Sequence, residues 1–325
     1  MTVFDTRHEP ETPPPPPPAR RIHELFETLA ALVPGTPAVV AEDESLTYGE
    51  LDRRANRLAR FLRTLRGLGT EERVAVALER SAEAVVAVLA IWKAGGVWVP
   101  LDLSWPAARL SLQLEESGAT FLIAREASAA ILAAASPPWP LHDLGELPPL
   151  WQLRIVRLDR DAAEIAGQSA VPLRSVAGPE HLACLCEPAA EGGEPVAMTH
   201  RELVQRALEM AWLPGGRPGT GHRALQLAAG RTLSLAEILL TLPQGAALHL
   251  PPPEQLLGEP CGRYLEERAV THLLVPPDLA RTWAAAGQVP LETFDVAVVP
   301  GQPSSLLRGP AVRAAAALLR GSDPG

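Results

Sequence analysis

The sequence predicts an α/β protein with two lobes and largely parallel sheets. Three observations carry that expectation. Short apolar strands alternate with helix-length segments, the pattern of βαβ crossovers. Helices stop on breakers, as at Pro34-Gly35 and Gly95. A proline-containing stretch at 136–179 interrupts the alternation and divides the chain into lobes at 22–177 and 178–325. At 325 residues, two medium domains or one large one can bury a substantial core.

The elements follow in order. Residues 1–21 include six consecutive prolines, Pro13 to Pro18, and lack apolar periodicity, so they predict an extended, disordered arm. Such an arm serves as a spacer or as a ligand for a proline-binding module. A helix begins near Ile22, with Leu25, Phe26, Leu29 and Leu32 at helical spacing. ERVAVAL (72–78) reads as a strand, AEAVVAVLAIWKAG (82–95) as a helix, 106–118 as another helix and ATFLIA (119–124) as a strand. After the break come strand HLACLC, helix 201–212, strand RALQLA, helix SLAEILLTL and strand AALHL. Helix GRYLEERA, strand THLLVP, helix DLARTWAAA, strand FDVAVVP and an alanine-rich helix complete the chain.

Composition excludes several functions. Net charge is −9 and no basic run extends beyond Arg20-Arg21, which argues against nucleic acid as a partner. No apolar run is long enough to span a bilayer, and MTVFDTRHEPE lacks the apolar core of a signal peptide. A cytoplasmic location is the expectation. Cys184, Cys186 and Cys261 fit neither a disulfide framework nor, with scattered histidines, a metal site; they read as small buried hydrophobes. Among 29 basic residues only Lys93 is a lysine, so any chemistry needing a lysine must use it.

One stretch has the outline of a nucleotide site. HLACLCEPAAEGGEPVAMTH (181–200) runs from a strand through Gly192-Gly193 into a helix start, as a phosphate-cradling loop does. Its content is opposed to that outline. The loop carries Glu187, Glu191 and Glu194, no lysine, and no hydroxyl residue before Thr199. Carboxylates there repel a triphosphate. Neither a G-x-G-x-x-G nor a G-x-S-x-G motif offers another class of site.

Several stretches resemble the adenylation domains of nonribosomal peptide synthetases, within the adenylate-forming enzymes. LTYGELDRRANRLARFLR (46–63) is similar to that family's L-T-Y-x-E-L turn and helix. IWKAGGVWVPLDLSWPAARL (91–110) is similar to its L-K-A-G-x-A-Y-V-P-L-D and P-x-x-R-L motifs. LAC at 182 and VAMTH at 196 match the ends of the phosphate-loop motif, T-S-G-[ST]-T-G-x-P-K-G between them being replaced. RTLSLAE (231–237) stands where the family has F-D-x-S-x-x-E, with Thr232 in place of the aspartate that holds an α-amino group. FDVAVVPGQPSSLL resembles the segment ending in G-G-E-x-L.

The resemblance implies the N-terminal portion of the adenylate-forming fold, its C-terminal part missing, and a lineage of ATP-dependent carboxylate activation with Mg. It leaves no catalytic residue and no metal ligand to name. Gly192, Gly193 and Thr199 are the remnant nucleotide candidates, a plain surface turn being the alternative for the glycines. Thr232, Ser234, Glu237, Gly301 and Gln302 are the remnant pocket candidates. Three functional readings follow: an impaired activating enzyme, a noncatalytic docking module for synthetase or carrier-protein partners, and one half of a split enzyme. An incomplete second lobe also implies self-association or a partner covering its strand edges. Lys93, inside the second motif, is expected to serve the scaffold.

Overall fold

The computed structural model describes residues 20–42, 44–135, 153–186, 195–209, 223–226, 235–252, 258–275 and 295–298. The proline arm, the expected helices at 278–286 and the C-terminus, and loop residues 187–194 lie outside them. Helix α1 (Ile22–Leu32) opens at Arg21, whose backbone N–H (2.8 Å) and guanidinium both donate to Glu24. It buries Ile22, Phe26, Leu29 and Ala30. Leu32 shares the apolar spacing yet is 65% exposed in the last turn. A hairpin follows, β1 (Pro37–Ala41) and β2 (Ser45–Thr47), then α2 (Tyr48–Arg60), prolonged by one π-helical turn at Phe61–Leu65.

Strand β3 (Arg73–Ala77), helix α3 (Ala82–Ala94), strand β4 (Val97–Pro100), helix α4 (Ala107–Glu116), strand β5 (Phe121–Ala124) and helix α5 (Glu126–Ala135) form successive crossovers. Strand β6 (Arg154–Arg157) and a short α6 (Ala162–Ala166) lie within the stretch read as loop. Next come β7 (Leu182–Cys186), β8 (Val196–Thr199) and α7 (His200–Glu209). The remainder is β9 (Arg223–Gln226), α8 (Leu235–Thr241), β10 (Ala247–Leu250), α9 (Gly258–Glu267), β11 (His272–Val275) and β12 (Asp295–Val298).

Two six-stranded sheets result, ordered β12-β11-β9-β10-β1-β2 and β6-β5-β3-β4-β7-β8. Each is parallel except for its last strand, which returns antiparallel as a hairpin. Both sheets draw strands from either side of residue 177, because β1 and β2 join the late strands and β7 and β8 join the early ones. The lobes expected at 22–177 and 178–325 follow the chain, whereas strand pairing follows which apolar faces meet.

The two hairpins reveal a correspondence not apparent as a sequence repeat. Each edge strand ends on a threonine whose hydroxyl caps the next helix and whose partner is a glutamate three residues on, Thr47 with Glu50 and Thr199 with Glu202. The residue after each threonine, Tyr48 or His200, is fully buried.

Period-two alternation assigns the early strands' faces. Val74, Val76, Phe121 and Ile123 join a core shared with α1, α2, α3, α7, α8 and strands β1 and β10 of the other sheet. Their neighbours Ala75, Ala77, Leu122 and Ala124 pack instead beneath α4 and α5. Helix α3 is buried on every side except at Glu83, as its all-round apolar sequence requires. It ends at Gly95, whose φ of +92° is left-handed and whose added Cβ would stand 2.8 Å from Val176 Cγ2.

Candidate functional site

Strand β7 lies between β4 and β8, with Cys184 paired to Trp98 and Cys186 opposite Val196. The chain therefore leaves β7 at the carboxyl ends of the parallel strands, the edge where open α/β sheets bind ligands. That root is firmly held. Trp92 Nε1 donates to the Ala183 carbonyl at 2.8 Å, and the Leu182 N–H donates to the Glu71 carboxylate at 2.9 Å. Gly192 and Gly193, in the loop itself, lie outside the described residues.

Thr199 does not share the loop's position. Its Cα partner is Leu182, at the opposite end of the hairpin, about 10 Å along the strand from Val196. Its hydroxyl donates to the Glu202 carboxylate at 2.9 Å and accepts from the Glu202 N–H at 3.2 Å. Nearness in sequence grouped it with the glycines; the return of β8 carries it away, where it caps α7.

The cysteines are buried free thiols. Cys184 and Cys186 share one face of β7 with Sγ atoms 3.8 Å apart, and that contact, together with burial, pushes the Cys184 thiol well up. Burial pushes Cys261 up to about 11. Neither Cys184 nor Cys261 has the lowered pKa of a nucleophile.

The acyl-pocket candidates belong to the other sheet. Strands β9, β11 and β12 are parallel neighbours, with Gln226 opposite Leu274 and Val275 opposite Val298. The chain thus leaves β9 and β12 at one sheet edge, two strand spacings or about 10 Å apart. The first departure leads through 227–234, which holds Thr232 and Ser234, to α8, whose first turn contains Glu237. The second leads to Gly301 and Gln302. Thr232, Ser234, Gly301 and Gln302 lie outside the described residues, as does the Glu237 side chain. Topology brings the carboxyl ends of β9 and β12 to a common sheet edge, of the kind where open α/β sheets bind ligands.

Lys93 is the functional residue that the structure settles. On α3 it is 2% exposed and ion-paired both to Glu27 of α1 and, at 2.9 Å, to Asp52 of α2. Asn56 donates to the other Asp52 oxygen at 2.9 Å and to the Ala170 carbonyl at 3.0 Å. The chain's one lysine therefore binds three helices together inside the core. Among the described residues no group of three His, Cys, Asp or Glu side chains is placed to hold a metal ion. A triphosphate with its Mg needs hydroxyl and amide donors and a mobile cation. The loop that follows β7 offers Glu187, Glu191 and Glu194 and no lysine.

A family profile described as AMP-binding enzyme matches residues 26–309. The chain belongs to the AMP-binding enzyme family. Chondramide synthase cmdD of Chondromyces crocatus is 34% identical over 305 residues, 91% of this chain and 7% of that protein. Phosphinothricin tripeptide synthetase PhsC of Streptomyces viridochromogenes is 35% identical over 281 residues, 83% of this chain and 24% of the synthetase. Novobiocin biosynthesis protein H of Streptomyces niveus is 33% identical over 289 residues, 86% of this chain and 46% of that protein. The chain thus spans less than half the length of these relatives.

Solved structures agree on the fold. The nonribosomal peptide synthetase FmoA3 bound to α-methyl-L-serine-AMP has a TM-score of 0.70 and 28% identity over 87% of this chain and 30% of that one. VinN with 3-methylaspartate has a TM-score of 0.68 at 18% identity over 93% of this chain and 74% of that one, which shows the shared fold alone. The chain is therefore an α/β, adenylation-type domain of nonribosomal peptide synthetase kinship. No helix among its described residues is long and apolar enough to cross a membrane.

Proposed function

We propose that the chain is a noncatalytic adenylation-like module of specialised-metabolite assembly, which keeps the scaffold of ATP-dependent carboxylate activation without its phosphate chemistry. The observation that carries this reading is Lys93. The sole lysine in 325 residues is committed to Glu27 and Asp52 in the core and is out of reach of any phosphate. Glu187, Glu191 and Glu194 in the loop add negative charge where a triphosphate would lie. Activation of a carboxylate rests on neutralising and positioning phosphates, so both departures fall on the same step.

The scaffold beneath the loop is retained, with β7 held by Trp92, Glu71 and its pairing to β4. A platform without its chemistry suits a role in docking synthetase or carrier-protein partners, as in the multidomain proteins that this chain resembles. Thr232, at the position matched to the family's aspartate, lacks the charge to compensate the α-amino group of an ordinary amino acid.

Calorimetry of the folded chain with ATP and with a nonhydrolysable acyl-adenylate analogue tests the proposal. The expected result is no saturable heat and no thermal stabilisation by either. Saturable binding, or pyrophosphate exchange driven by any carboxylic acid, would overturn it.

A further inference from the structure

His23 of α1 and His200, the first residue of α7, meet in the core with ring centroids 5.5 Å apart and planes at 81°. They are 2% and 0% exposed. Among the described residues, His23 Nδ1 and both ring nitrogens of His200 have no hydrogen-bond partner. Such a pair is tolerable only while both rings are neutral, because a buried imidazolium without an acceptor loses its hydration for nothing.

The charged surroundings make protonation worse. Arg21, at the start of α1, faces both rings and Lys93 of α3 faces His23. His181, before β7, adds to the opposition at His200. Of the carboxylates nearby, Glu24 pairs with Arg21 and is the one charge that favours protonation of His200, though burial outweighs it, while Glu27 and Asp52 pair with Lys93. His181 Nδ1 accepts from the Gly178 N–H at 3.2 Å.

Helix α1 packs on the rest of the fold through Ile22, Phe26, Leu29 and Ala30. Besides its apolar face, it is tied down by the Arg21 guanidinium bond to the Ala177 carbonyl at 2.9 Å and by the Glu27–Lys93 ion pair.

We propose that His23 and His200 form an acid-sensitive latch, which holds α1 against α7 while both rings are neutral and releases it on protonation. The latch is complete above the ordinary histidine range. As pH falls below it, the released state takes up protons that the docked state refuses, and release becomes progressively easier.

Hydrogen–deuterium exchange of the full chain at pH 7.5 and pH 5, corrected for intrinsic rates, tests this. The opening constant of α1 is expected to rise about 30-fold for each histidine that is excluded from protonation. Peptides of β3 to β5 open with global unfolding, which acid favours as well, and are expected to stay better protected than α1 at both pH values. His23→Phe and His200→Phe, which keep the aromatic contact but do not titrate, should each reduce the response, and together they should abolish it. Unchanged α1 protection, α1 opening only together with β3 to β5, or an undiminished response in the double variant would overturn the latch. Should the variants fold poorly, an NMR titration of the unaltered protein gives the same decision. Both rings should stay neutral for as long as α1 is protected; either ring titrating at its ordinary value under those conditions would sink the proposal.

Discussion

A single lysine in a chain of this length invites a catalytic reading, and its surroundings answer it. Burial at 2% exposure between two carboxylates makes Lys93 a tie between α1, α2 and α3. Replacing it with methionine leaves Glu27 and Asp52 facing each other without a counter-charge. The expected cost is about 2 kcal/mol in urea unfolding, below the value for a fully buried pair because Glu27 is 31% exposed and partly solvated. Thr199 gives the complementary case. Thr199→Ala removes the cap of α7 and is expected to cost about 1 kcal/mol in the same measurement. Neither substitution should alter the calorimetric response to ATP, because neither side chain stands at the loop. At this scale the sequence named the right residue types but not their partners. The Glu27–Lys93 pair spans 66 positions and no local pattern announces it.

At the scale of elements, helix ends and hairpins carry the specificity. Gly95 ends α3 with a left-handed φ and lies against Val176, whereas Gly35 has nothing within 4 Å of the position its Cβ would take. Gly95→Ala is expected to lower stability by about 2 kcal/mol, combining left-handed strain with the clash. Gly35→Ala should be near neutral. Paired urea midpoints check both, and equal costs would contradict the structural reading. Strands β3, β5, β7, β10 and β11 and the helices between them were legible from alternating period-two and helical patterns. Strands β2, β4, β6 and β8 were not: β2 and β8 are hairpin returns, β4 follows α3 directly across Gly95-Gly96 and β6 lies in the proline-containing stretch. The Thr47-to-Glu50 and Thr199-to-Glu202 boxes are visible in the sequence as T-x-x-E, and they were a usable signal for both helix starts.

For the whole molecule, buried histidines predict how stability depends on pH. Both His23 and His200 are depressed by burial, His200 to about 4. Unfolding restores the ordinary value of about 6.5, so the unfolded chain binds more protons below that pH. Stability from these groups is complete above about 6.5, falls as the solution is acidified, and for His200 levels off near 4. The His200 contribution alone amounts to about 2 kcal/mol lost by pH 5. Urea midpoints between pH 7.5 and 5 should show that slope, and the His200→Phe protein should lose most of it.

The sequence by itself determined the family, through LTYGEL and the motif around Lys93. It also determined the α/β class and the altered chemistry of the phosphate loop, because all of these are written in short, contiguous runs of residue types. Tertiary structure alone decided how the strands divide between two sheets, that Thr199 stands at the far end of its hairpin, and that Lys93 is consumed in the core. It also brought His23 and His200 together across 177 positions. The reason is physical: pairing and burial depend on which apolar faces meet after the chain has crossed between sheets. That meeting is a property of the packed whole, which no segment of the sequence carries on its own.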